Sequence, residues 1–285
     1  MFAKLLKYEW KANASLLWIL SACALGVGLL GAGILRGITY VEDHMMNDVL
    51  GALASSSLSM LMVFVVISLG VYALAVQFIN IWRFYKNKFT DEGYLTFTLP
   101  VTSHQIFLSS FLVILAWMAI SVAVLVISGS LMLLIGLNAP LKEVFQVLGK
   151  LFSSLGEALM YIEQGGMPGV VTFLVLCCLT VVVTPVYAIV LLMTSITLGC
   201  VLAKKHKILA TIGMYYAINM GVNIVSSVVN LVPTILMVSS SFSDGTRYFQ
   251  YLSLTVGLSL VLQVGLAIGG YFWSTYLMKH KLNLP

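Results

Sequence analysis

The sequence predicts an all-α membrane protein with six transmembrane helices, an N-terminal interfacial helix and both termini cytoplasmic. Three observations carry the fold class. Of 285 residues, 60% are apolar and only 9% charged, whereas soluble domains carry about 25% charged residues. The mean hydropathy is +1.04. Six stretches, approximately 13–35, 56–82, 105–137, 169–201, 208–237 and 249–277, contain no Asp, Glu, Lys or Arg. Each reaches the ~20 apolar residues that cross a hydrocarbon core of about 30 Å. Too little polar surface remains to cover a water-soluble domain, and disorder would need low hydrophobicity with high net charge. Continuous apolar runs also argue against a membrane barrel, whose strands alternate. The whole of 1–285 reads as one transmembrane domain.

Residues 1–12 precede the first span as a short basic amphipathic helix. Lys4, Lys7 and Lys11 share one helical face, with Phe2, Leu5 and Leu6 roughly opposite, a pattern suited to the headgroup layer. Within the first span, Ala22/Gly26 and Ala24/Gly28 are small pairs that let helix backbones approach closely. Between the second and third spans lies the 83–104 loop. Thr90 before Asp91 and Glu92 has the character of a helix N-terminus, with an oxygen to cap open amides. Tyr94, Leu95, Phe97 and Leu99 follow at the membrane's wet edge, where exposed aromatics beside acids make docking anchors. Pro100 ends that element, and Thr102 with Gln105 forms a capping box for the third span.

Past the third span, Leu141, Val144, Phe145, Leu148, Phe152, Leu155 and Leu159 repeat at spacings of three and four. That predicts an amphipathic helix over 139–167, lying on the outer leaflet or over an external vestibule. Gly165, Gly166 and Pro168 end it before the fourth span. Pro185 and Pro233 are expected to kink the fourth and fifth spans. The fifth span carries Tyr215, Asn219, Asn223, Ser226 and Asn230 at intervals of four, four, three and four, one face of a helix. Such a stripe either bonds to neighbouring helices, at about 0.6–2 kcal/mol per contact, or lines a translocation path or subunit seam. The sixth span holds Gly265 and Gly269, a G-x-x-x-G spacing for close approach within the chain or across an oligomer.

Charge orients the spans. The N-terminus, the 83–104 loop, the 202–207 loop and the C-terminal tail hold eleven Lys and Arg against three acids, a net +8. The opposite side holds four basic residues against seven acids, a net −3. By the positive-inside rule the first side is cytoplasmic, as expected of a multi-pass protein of the cell (plasma) membrane. Membrane lipid, not nucleic acid, is the partner those basic flanks suit. Cys23, Cys177, Cys178 and Cys200 fall in or at the ends of spans and read as packing groups.

The chemistry that is missing narrows the function. No predicted span holds the acidic or basic residue that proton- and ion-coupled carriers commonly use as a relay. No G-x-x-x-x-G-K-[ST] occurs. His44, His104, His206 and His280 stand apart from one another and from any metal-ligand spacing. The chain is therefore expected to hold no catalytic residue, metal or cofactor of its own. Transport work would draw its energy from another subunit.

Six spans, an N-terminal interfacial helix and a docking loop after the second span resemble the membrane subunit of type-2 ATP-binding-cassette exporters. The stretch Asp91-Glu-Gly-Tyr-Leu-Thr-Phe-Thr-Leu-Pro100 with Val-Thr-Ser-His-Gln105 looks much like the small permeases of Gram-positive bacteria, and Lys4-Leu-Leu-Lys-Tyr-Glu-Trp10 is similar to their starts. The topology covers the whole chain and the motifs about a tenth of it. The resemblance implies a permease that pairs with a second copy of itself or a relative. It also implies two separate ABC ATPase subunits, which would hold ATP and Mg. Asp91, Glu92, Gly93, Tyr94 and Leu95 would then form the ATPase-coupling helix, with Lys204, Lys205 and Lys207 as a second contact. The external 139–167 helix departs from larger family members. Two other classes stand beside this one: a non-transporting immunity or sensor subunit, and a secondary carrier working alone.

Overall fold

The computed structural model describes residues 2–45, 49–90, 93, 98, 101–136, 146, 149–150, 153–154, 156–157, 169–203, 206–239 and 248–280. Six long α-helices account for nearly all of them, and no strand occurs among the described residues. They are α1 (Phe2–Met45), α2 (Val49–Phe89), α3 (Ser103–Gly136), α4 (Val170–Leu202), α5 (Lys207–Ser239) and α6 (Tyr248–His280). Each is long and apolar enough to cross a membrane, so the chain is a multi-pass membrane protein.

Every predicted span lies inside one of these helices to within a residue at either end, but α1 and α2 run well beyond theirs. The segment 2–11 is helical as expected, yet it is the start of one unbroken 44-residue helix and no separate element. The physical reason is local. Lys11-Ala-Asn-Ala14 offers neither Gly nor Pro to break the helix, and Ala is the strongest helix former. At its other end α1 continues past Arg36, where Thr39 Oγ1 donates to the Arg36 carbonyl and His44 stacks on Tyr40 at 4.5 Å. Along α2, Ser55, Ser56, Ser57 and Ser59 return their hydroxyls to carbonyls three or four residues back. That habit lets hydroxyls sit in a helix without seeking outside partners. Of the predicted 139–167 helix, residues 146, 149–150, 153–154 and 156–157 are described and all are helical; the rest lies outside the described residues.

Contacts divide the chain into two compact units, Met1–Arg83 with Leu112–Phe152, and Phe84–Phe111 with Ser153–Pro285. The first is built on Leu17, Ala24, Tyr72, Val76, Val113, Trp117 and Val124. Trp10 stacks on Trp117 at 4.9 Å and Trp18 meets it edge-on at 5.5 Å. Leu6 and Trp10 also pack on this cluster, so the apolar face of the N-terminal segment is partly covered by protein. Tyr72 Oη and Ser21 Oγ share a hydrogen bond at 3.0 Å between α1 and α2. Ala24 and Gly28 face Ser128 of α3: a Cβ on Gly28 would come within 2.8 Å of Ser128 Cβ. This predicted small pair therefore does bring two backbones together. Its neighbour does not, since a Cβ on Gly26 would meet open space.

In the second unit α4 and α6 run parallel, tied at three levels. Phe173 meets Phe249 at 6.1 Å, Thr184 Oγ1 donates to Gln263 Oε1 at 3.1 Å, and Ser274 Oγ donates to Thr194 Oγ1 at 3.0 Å. Gly169, the residue before α4, has φ 101°, a left-handed conformation that glycine adopts without steric cost. Helix α5 returns against α4, where Gly199 lies so close to Thr211 that a Cβ would sit 2.5 Å from its Cα. Pro185 and Pro233 lie inside α4 and α5.

Candidate functional site

Two groups of residues in the second unit bear on function. The first gathers around the segment that follows α2. Phe84 packs edge-on to Phe89 at 5.8 Å and to Phe107 at 6.4 Å. Phe107 in turn meets Tyr271 of α6 at 5.3 Å. His104 Nδ1 lies 3.4 Å from Tyr271 Oη. This aromatic chain fixes the end of α2 and the start of α3 against α6. The loop between them thus leaves and rejoins at anchored points.

Polar contacts reinforce the anchor. Lys207 Nζ donates to the Phe89 carbonyl at 3.2 Å, placing a cation on the open carbonyl end of α2, where charge and dipole agree. That bond brings the 83–104 and 202–207 loops together. The predicted capping box at α3 is present: Gln105 N–H donates to Thr102 Oγ1 and Thr102 N–H donates to Gln105 Oε1, both at 3.4 Å. Thr90 stands at the junction of α2 and the loop. Its hydroxyl donates back to the Lys86 carbonyl and so finishes α2. Its own carbonyl accepts from Gly93 N–H at 2.8 Å. Gly93 is helical and buried. The other four residues assigned to coupling, Asp91, Glu92, Tyr94 and Leu95, lie outside the described residues, as do Lys204 and Lys205.

The second group is the polar face of α5. Tyr215, Asn219 and Asn223 line a groove of about 680 Å³ together with Tyr216, Met220, Ile224, Ser227 and Val228. All of these belong to α5. The face turned toward α4 and α6 is a different one, carrying Met214, Ile218 and Val222. Ser226 and Asn230, the other two stripe residues, are half-buried and outside the groove. Asn230 Oδ1 is buried without a partner. Among the described residues, the five stripe side chains make one hydrogen bond, from Asn219 Nδ2 to the Tyr215 carbonyl one turn back. No stripe side chain bonds to another helix among the described residues. Interhelical bonds occur elsewhere, at Ser21–Tyr72, Thr184–Gln263 and Thr194–Ser274.

Sequence reasoning missed Ser227, which continues the stripe four residues after Asn223. It also missed the anchoring roles of Phe84, Phe89, Phe107, Tyr271 and Lys207, whose types match ordinary membrane-edge residues. Among the described residues, no group of three or more His, Cys, Asp or Glu could hold a metal ion. Compared with known proteins, the chain matches no protein-family model, no curated protein and no solved structure.

Proposed function

We propose that the chain is the permease subunit of an ATP-driven exporter of the type-2 ATP-binding-cassette class, in the small form seen in Gram-positive bacteria. It sits in the plasma membrane with both termini cytoplasmic. The observation that carries this reading is the α5 polar face. Amides and hydroxyls on a membrane helix need protein or water beside them, and α4 and α6 leave the stretch around Asn219 and Asn223 open along the groove. A second copy or a related permease supplies the missing wall, and the two faces together bound a weakly polar path. ATP and Mg act on two separate ATPase subunits. Asp91, Glu92, Gly93, Tyr94 and Leu95 couple to them through the loop whose ends are pinned by Phe89, Lys207, Phe107 and Tyr271. A loop anchored at both ends passes a push from a partner into α2, α3 and α6 without slack.

Affinity purification from native membranes in mild detergent, with mass spectrometry, tests the reading. An ABC ATPase subunit in stoichiometric amount is expected, with ATPase activity that falls in the Asp91→Ala/Glu92→Ala double variant. Recovery of this chain alone, stable and monodisperse, overturns it.

A further inference from the structure

Within the second unit, α4, α5 and α6 enclose a half-open cavity of about 500 Å³, well inside the 300–1,000 Å³ range of small-ligand sites. Leu191 and Leu198 of α4, Met214, Ile218 and Val222 of α5, and Leu266 of α6 supply most of its wall. Thr194 also lines it, but its hydroxyl is already occupied, donating to the Val190 carbonyl at 2.7 Å and accepting from Ser274. Gly265 and Gly269 open onto this space, and a Cβ on either would meet nothing within 4 Å. The G-x-x-x-G of α6 therefore does not serve close packing within the chain. Each glycine costs a helix about 0.8–1 kcal/mol relative to alanine, with no backbone approach in return. What the glycines provide is room.

We infer that this cavity is a binding site for one acyl chain of a membrane phospholipid. Apolar cavities do not hold water, and the medium around membrane helices is hydrocarbon. The Thr184–Gln263 and Thr194–Ser274 bonds hold α4 and α6 at a set separation, so the helices do not collapse to fill the space. Leu202 and Trp273, 66% and 57% exposed, mark the rim. The connection after Leu202 carries Lys204, Lys205 and Lys207 in sequence, a charge that suits an anionic headgroup outside the cavity. The inference rests on the membrane assignment and is independent of the exporter reading.

The test uses the full chain in vesicles containing phosphatidylglycerol with a photoactivatable diazirine in one acyl chain. Crosslinks are expected to concentrate on Leu191, Leu198, Met214 and Ile218, and to be displaced by excess unlabelled phosphatidylglycerol. Gly269→Leu puts four carbons into the space and should lower the crosslink yield at these residues about tenfold. Tyr187 also lines the cavity, and Tyr187→Phe, which removes only its hydroxyl, should leave the yield nearly unchanged. If Gly269→Leu fails to fold, Val222→Phe fills the cavity from the opposite wall. Labelling spread evenly over the lipid-facing helices, or a yield unaffected by the filling variants, overturns the inference. A loss on Tyr187→Phe would overturn it in favour of a polar amphiphile.

Discussion

Asn80 is 1% exposed, and neither atom of its amide has a hydrogen-bond partner. The Ser21–Tyr72 bond sets the antiparallel register of α1 and α2. Eight residues along each helix, that register brings Asn13, also buried, level with Asn80. Trp117 Nε1 is a further buried donor without a partner. Leaving such groups unpaired costs about 1–3 kcal/mol each. Asn80→Leu is therefore expected to raise the thermal unfolding midpoint in detergent. A lowered midpoint would show that the amide is held by a group outside this chain. Local chemistry was the most legible at this scale. The Thr102–Gln105 box needs only residues three apart, so its pattern predicts its geometry. Thr90 reads two ways, because its hydroxyl can serve the helix behind it or the one ahead, and here it donates back to α2.

Small-residue spacing reads alike in α1 and α6 but does different work in each. Gly28 admits Ser128, and Gly199 admits the backbone of Thr211, while Gly265 and Gly269 admit nothing from the chain. Gly199→Ala should push α4 and α5 apart and cost about 1–3 kcal/mol, as overpacked sites do. Gly265→Ala should be neutral or stabilising, because it relieves the helix penalty without a clash. Unfolding midpoints of the two variants side by side check the contrast. The helices themselves were legible because each needs only a long apolar run. Their ends in α1 and α2 were not, because charged residues mark where hydrocarbon stops and not where a helix stops. The α5 stripe was legible as a face from its spacing. Which neighbour that face meets depends on tertiary packing, which no single helix pattern contains.

At the scale of the whole molecule, the net +8 and −3 sides predict that the two ends of α1 lie in different compartments. In a cysteine-free background, Lys4→Cys should react with a membrane-impermeant maleimide only after permeabilisation. Glu42→Cys should react in intact cells. Reaction of both from outside would break this topology, and with it the proposal that the 83–104 loop meets an ATPase.

The unbroken course of α1 has a mechanical consequence. At 1.5 Å per residue its 44 residues span about 66 Å, roughly twice the hydrocarbon thickness. A rod of that length pivoting about its middle swings its two ends in opposite directions. A tilt of about 10° displaces each end by some 6 Å on this geometry. Trp10 and Trp18 pack around Trp117 toward one end of the rod, and Gly28 sits on Ser128 nearer its middle, so α1 and α3 are joined at more than one level. Such a rod is long enough to carry a movement on one side of the hydrocarbon layer to the other.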